Sequence, residues 1–155
     1  MSTAFAGSSN VIDSVLFRDA FGTPRMREVF SDRNLIAKYI EVEVALARAQ
    51  ARCAVIPAEA AEVIARESKL DRIDFDHMRE ETDIVGYPIL PLVHQLVAMC
   101  GGAGRYVHWG ATTQDIMDTA NVLQVRDALD IVDADIRELR RILADLAAKH
   151  RDTPM

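Results

Sequence analysis

The chain has 155 residues, of which 50% are apolar and 27% charged, and its formal net charge is −6. These values are typical of one globular domain, or of one domain with part of another, and they exclude disordered and collagen-like chains. An acidic chain without a basic run is a poor binder of nucleic acid. Its apolar stretches fall short of the ~20 residues that span a bilayer, and the start MSTAFAGSSN does not resemble a secretory signal.

The two cysteines, Cys53 and Cys100, have no metal-ligand spacing, and the sequence contains no His-Glu-x-x-His motif. We therefore expect both to be reduced core thiols in a cytoplasmic protein without a metal site. His77, His94 and His150 lie among polar residues or off the apolar stripe of a predicted helix, and we expect them at the surface.

The first half of the chain carries helix signals and no alternating strand pattern. Pro24 suits the first turn of a short helix, and Ser31 or Asp32 can cap a long one. That long helix has apolar residues at steps of three and four: Leu35, Tyr39, Val42, Leu46, Ala49 and Cys53. The spacing indicates one face of a helix.

Three more helices are predicted before the chain reaches its last third. Pro57 opens the first of them, Asp74 or Asp76 opens the next, and Gly101 ends the last. A glycine cluster after a helix is typical of a helix stop, and not of the dinucleotide-binding loop that follows a strand. Together these signals predict an all-α fold.

The last third of the chain contains a heptad pattern. Its apolar residues alternate in steps of three and four: Val122, Val125, Leu129, Val132, Ile136, Leu139, Leu143 and Leu146. One helix from about 113 to 148 would be about 54 Å long, whereas a compact globule of this size is roughly 40 Å across. The helix is therefore expected to pack with other subunits or with further chain. The alternative is a bent helix that folds back as a hairpin.

The segment HWGATTQDIMDT, His108–Thr119, lies where this helix begins. Thr112 or Thr113 is a suitable N-cap, and Asp115 can accept from free amides as the acid of a capping box does. Hydroxyl groups, unpaired amides and the positive end of a helix favour an anion such as a carboxylate. The structural alternative is a capped helix that binds nothing, in which the carboxylates only offset the helix dipole.

The same block resembles the first conserved block of the aspartase/fumarase superfamily, which usually reads His-x-Gly-x-Thr-Ser-x-Asp, a hydrophobic residue, x and Asp-Thr. Thr113 replaces the serine common in relatives and keeps the hydroxyl. Three segments upstream are arranged like the amino-terminal domain of these enzymes: LFRDAFGTPRMREVFSD, YIEVEVALARAQA and VIPAEAAEVI. The most similar subgroup is that of the 3-carboxy-cis,cis-muconate cycloisomerases, with adenylosuccinate lyases next.

The resemblance implies an amino-terminal helical domain over residues 1–111 and the first long helix of a central helical bundle over residues 112–155. It implies a homotetramer in which three subunits build each active site. The Thr-His block and the mobile Gly-Ser-Ser loop with the catalytic serine are absent from the sequence. We therefore expect the catalytic residues beyond Met155, in a chain of several hundred residues, and no turnover by this fragment alone.

The resemblance also implies roles for individual residues. Thr112 and Thr113 hold a substrate carboxylate, His108 and Arg18 contact the substrate, and Asp115 fixes the turn. The substrates are polycarboxylates, from which a base removes a proton next to a carboxylate before β-elimination, or the reverse. The substrate's own carboxylate is the electron sink, so neither a metal nor an organic cofactor is expected.

Within this superfamily the sequence distinguishes some subgroups from others. The stretch 81–88 lacks the His-Asp pair of adenylosuccinate lyases, which favours the cycloisomerase subgroup over the purine enzymes. Lyases and an epimerase of N-succinyl amino acids such as iminodisuccinate belong to the same group of sequences. The non-enzymatic alternatives are a helical oligomerisation module, which would use only the heptad pattern, and an acidic monomer that binds a partner helix.

Overall fold

The computed structural model describes residues 10–154, and within that range it contains helices and no strand. Six α-helices follow one another: α1 (Pro24–Val29), α2 (Asp32–Arg52), α3 (Ala58–Glu67), α4 (Phe75–Val85), α5 (Ile89–Cys100) and α6 (Thr113–Lys149). Two 3₁₀ helices, Leu70–Arg72 and Gly101–Tyr106, lie between them. The predicted all-α fold is confirmed.

Short-range signals set most helix ends where the sequence predicts them. The Thr23 hydroxyl accepts from the amide of Met26 at the start of α1, and the Asp74 carboxylate accepts from the amide of His77 at the start of α4. Gly86 ends α4 with a φ of +86°, a backbone conformation that glycine adopts without steric cost. Gly101 ends α5, as expected.

The core of the compact unit Asp32–Gln124 lies where α2, α3 and α5 meet. Leu92 and Leu96, one turn apart on α5, are fully buried, as is Ile64 on α3. The helix α2 contributes the buried residues Ile36, Tyr39, Ile40, Glu43 and Ala47. This buried stripe is rotated about the helix axis from the predicted one. Most of the predicted positions lie at the edges of the buried stripe and are only partly buried.

The expectation that both cysteines are buried is wrong for one of them. Cys100 is buried at the end of α5, but Cys53 is exposed. The reason is local: α2 ends at Arg52, and Ala54 has a φ of +56°, so the chain turns away before Cys53 can continue the buried stripe.

Gly104 brings the 3₁₀ helix Gly101–Tyr106 against α5. A Cβ atom at this position would lie 2.4 Å from the carbonyl oxygen of Val97. Only glycine allows the two backbones to approach this closely. The contact fixes the segment that leads into the turn before α6.

The second compact unit consists of the described residues of Met1–Ser31 and of Val125–Met155. In it Arg27 donates to Asp19 and to the carbonyl oxygen of Arg18, and Arg25 lies 3.7 Å from Asp135. The helix α6 supplies residues to both units. The predicted division into domains 1–111 and 112–155 stays a prediction about the complete protein.

The helix α6 is uninterrupted over 37 residues, which corresponds to about 55 Å. The hairpin alternative is therefore wrong. All eight residues of the predicted heptad pattern are exposed, from 40% at Val132 to 67% at Val122. The buried residues of α6 are Ile116, Ala120 and Gln124, near its start. Among the described residues the apolar heptad face of α6 is exposed, as the length of the helix predicts. No helix in the described range is long and apolar enough to cross a membrane.

Candidate functional site

The turn that begins α6 is held by the capping interaction that the sequence predicts. The amide of Thr112 donates to Oδ2 of Asp115 at 2.9 Å, and the amide of Asp115 donates to the carbonyl oxygen of Thr112 at 3.1 Å. One turn later the hydroxyl of Thr119 donates to the carbonyl oxygen of Asp115 at 2.6 Å. Asp115 thus ties the first turn of the helix to the residue before it.

The turn is accessible from solvent. Thr112, Gln114 and Asp115 are exposed, and Thr113 is half-buried. Gly110 has a φ of +68°, which redirects the chain between His108 and the helix. Thr112 is therefore accessible to a ligand or a neighbouring chain, and Thr113 is partly accessible.

His108 makes a contact that sequence reasoning missed. Its Nδ1 lies 2.5 Å from Oε1 of Glu43 on α2, across 65 residues of sequence. The Glu43 side chain is 1% exposed and that of His108 is 18% exposed. Burial raises the pKa of the Glu43 carboxyl, and the hydrogen bond and charge of His108 act against that rise.

A second polar residue of α2 contacts the same turn. Nε2 of Gln50 donates to the carbonyl oxygen of Trp109 at 2.6 Å. Trp109 is half exposed and meets the ring of Tyr106 edge to face, with 6.2 Å between ring centroids. Arg105 lies over the Tyr106 ring at 4.8 Å. Aromatic and cationic groups therefore border the turn on its amino-terminal side.

Four of the five predicted site residues occur together. They lie on the segment 108–115, which leads into α6 and belongs to the compact unit Asp32–Gln124: His108, Thr112, Thr113 and Asp115. Arg18 belongs to the other unit, where it is exposed and uses its carbonyl oxygen to accept from Arg27. Its predicted contact with the substrate stays a prediction.

Glu43 could have been noticed in the sequence. It lies on α2 between Ile40 and Ala47, on a face that is otherwise apolar. A carboxylate in the buried stripe of a helix needs a polar partner. The sequence does not indicate which residue that is, because the partner comes from a segment that only the tertiary fold brings near.

Comparison with known proteins gives the family. A family model described as a lyase matches residues 19–155. Trans-aconitate decarboxylase 1 of Mycosarcoma maydis is 47% identical over 88% of this chain and 28% of its own length. The 3-carboxy-cis,cis-muconate cycloisomerase of Acinetobacter baylyi is 44% identical over 92% of this chain and 33% of its own. Other relatives are named N-acetyl-S-(2-succino)cysteine lyase and adenylosuccinate lyase.

The fold has a counterpart among solved structures. The fumarate lyase from Mesorhizobium sp. BNC1 is 55% identical and superposes with a TM-score of 0.79, over 84% of this chain and 31% of that one. The helical architecture and the sequence thus agree on one class of protein. The chain belongs to the lyase family of the aspartase/fumarase superfamily, and it spans about a third of the length of the relatives it matches.

Proposed function

We propose that this chain is the amino-terminal part of a lyase or cycloisomerase that acts on polycarboxylates. The observation that carries the proposal is the turn at the start of α6, in which Asp115 holds the amide of Thr112 while Thr112 is exposed and Thr113 is half-buried. In the proposed site, Thr112 and Thr113 donate to one carboxylate of the substrate. His108 approaches the same ligand from the other side of Gly110.

The proposed reaction removes a proton from the carbon next to that carboxylate. The electron pair of the C–H bond moves into the carboxylate and forms an aci-carboxylate, which the hydroxyl and amide donors stabilise. The pair then forms the double bond while the leaving group departs from the β carbon with its bonding electrons. Cycloisomerisation is the reverse of this elimination, because a carboxylate of the substrate adds to a double bond within the same molecule. The base belongs to a part of the protein outside this chain.

The charge near the turn has a consequence for assembly. Asp115 and Asp118 lie on the first turns of α6, and Glu43 lies beneath His108. A polycarboxylate needs positive groups to offset these charges and its own. Arg105 borders the turn within this chain, and we propose that further positive groups come from other subunits of a homotetramer, packed along the exposed heptad face of α6. We also propose that this assembly is cytoplasmic. Arg18 is the residue of this chain proposed to contribute.

The names of the relatives support the substrate class and leave the particular substrate open. Cycloisomerisation of 3-carboxy-cis,cis-muconate is the first candidate. Cleavage of adenylosuccinate or of an N-succinyl amino acid, or epimerisation of iminodisuccinate, is the second. Decarboxylation of trans-aconitate joins them because of the 47% identity to the Mycosarcoma enzyme; loss of CO₂ from a polycarboxylate likewise leaves a carbanion to stabilise.

The test is an ultraviolet absorbance assay of the complete protein with 3-carboxymuconate, adenylosuccinate, iminodisuccinate and trans-aconitate. A chiral assay of the iminodisuccinate sample detects epimerisation. We expect turnover of one of these compounds without added metal. If the complete protein associates through α6 but converts none of them, the helical oligomerisation module is the better account.

A further inference from the structure

Glu43 is a buried acidic residue on an otherwise apolar face. The whole residue is 2% exposed, and it lies in the buried stripe of α2. Its Oε1 contacts His108, while its Oε2 is buried without a hydrogen-bond partner among the described residues. Since a carboxylate is costly to bury unless it is paired, the imidazole of His108 is what makes Glu43 tolerable at this position.

The backbone at His108 is also unusual. Its φ is +57°, in the left-handed region that residues other than glycine rarely adopt. Gln50 follows Glu43 by seven residues, so both lie on the same side of α2, two turns apart. Gln50 holds the carbonyl oxygen of Trp109, the next residue along the turn. The helix α2 therefore holds the turn at the His108 side chain and at the adjacent backbone.

The contact leaves one ring nitrogen for a ligand. Because Nδ1 faces Glu43, Nε2 is the nitrogen of His108 that can meet another molecule. We propose that Glu43 is a positioning residue for His108, whose carboxylate accepts a hydrogen bond from Nδ1–H and so directs Nε2 toward the substrate. This inference rests on the proposed function, in which His108 contacts the substrate. Carboxylates orient metal-bound histidines in the same manner.

The competing explanation is a purely structural clamp. In that case Glu43 and Gln50 would only stabilise the turn, and the orientation of the imidazole would not matter. The two explanations differ in one respect. A positioning residue acts through His108, whereas a clamp acts on the turn whether or not residue 108 is a histidine.

The first test is a double-mutant cycle in the complete protein that contains this chain, with the substrate that the absorbance assay identifies. Glu43→Gln keeps the shape of the side chain and removes its charge. We expect kcat/KM to fall about 10–100-fold. In a His108→Asn background the same substitution should change kcat/KM by less than about twofold.

Gln50→Ala is the matched control, because it loosens the same turn without touching the imidazole. Its effect should be the same in both backgrounds. If Glu43→Gln lowers kcat/KM equally in both backgrounds, or leaves it unchanged in the parent, the positioning role is refuted.

The second test measures the position of the His108 imidazole independently of turnover. It compares crystal structures of the complete protein and its Glu43→Ala variant. Glu43→Met replaces the latter if it does not fold. We expect the imidazole to leave its position while Gln50 still holds Trp109. An imidazole that stays refutes the inference whatever the turnover. If the imidazole moves but the parent protein converts no substrate, Glu43 does orient the ring, and the proposed function is what fails.

Discussion

Gly104→Ala tests the packing that supports the candidate site. The added Cβ would lie 2.4 Å from the carbonyl oxygen of Val97 and 3.0 Å from its Cα. Ordinary contacts begin at 3.4 Å, so the 3₁₀ helix and α5 must separate by about 1 Å. Overpacking of this kind costs about 1–3 kcal/mol, and the smaller entropy of the unfolded alanine chain offsets about 0.4–1 kcal/mol.

We therefore expect the free energy of unfolding to fall by about 1–2 kcal/mol, which lowers Tm by about 2–8 °C for a chain of this size. Thermal unfolding followed by circular dichroism measures the change. The control is Gly102→Ala, because a Cβ there meets nothing within 4 Å, and its Tm should stay the same or rise. If the two variants melt at the same temperature, the close approach at Gly104 does not support the fold.

Two further predictions concern exposed groups. Leu129→Asp, on the exposed heptad face of α6, should shift the complete protein to smaller species in sedimentation velocity. The control Ala134→Asp, on the opposite face, should not. If both variants sediment equally, this face is not the interface between subunits. In the native chain Cys53 should react quickly with a thiol reagent. Cys100 should react only on unfolding, because burial above all raises the pKa of its thiol and blocks access. Rapid modification of both cysteines in the native chain would contradict this.

The sequence predicts local features well, because their causes lie within a few residues. Pro24 at α1, Asp74 at α4 and Gly101 after α5 act through hydrogen bonds or backbone preferences of one turn. The bond from Thr112 to Asp115 is of the same kind. These signals fix where helices begin and end without knowledge of the tertiary fold.

Contacts between distant segments were not predictable in the same way. The pairing of Glu43 with His108 and of Gln50 with Trp109 depends on how α2 meets the turn before α6. The tight contact at Gly104 likewise depends on the path of the chain after α5. The apolar spacing of α2 predicts that Cys53 is buried, but it does not show that the helix already ends at Arg52. Spacing indicates that a helix has an apolar face, but on α2 the buried stripe is rotated from the predicted one, and spacing does not identify the segment that covers it.

In the proposed site the start of α6, with Thr112 and Thr113, binds a substrate carboxylate. The most direct measurement is kcat/KM of the complete protein for its polycarboxylate, compared with that of Thr113→Ala and Thr113→Ser. Loss of a donor to a developing oxyanion costs about 100-fold or more. We expect the alanine variant to lose at least that much, and the serine variant, which keeps the hydroxyl group, to stay close to the parent. Turnover by the alanine variant at the parent's rate would contradict the claim.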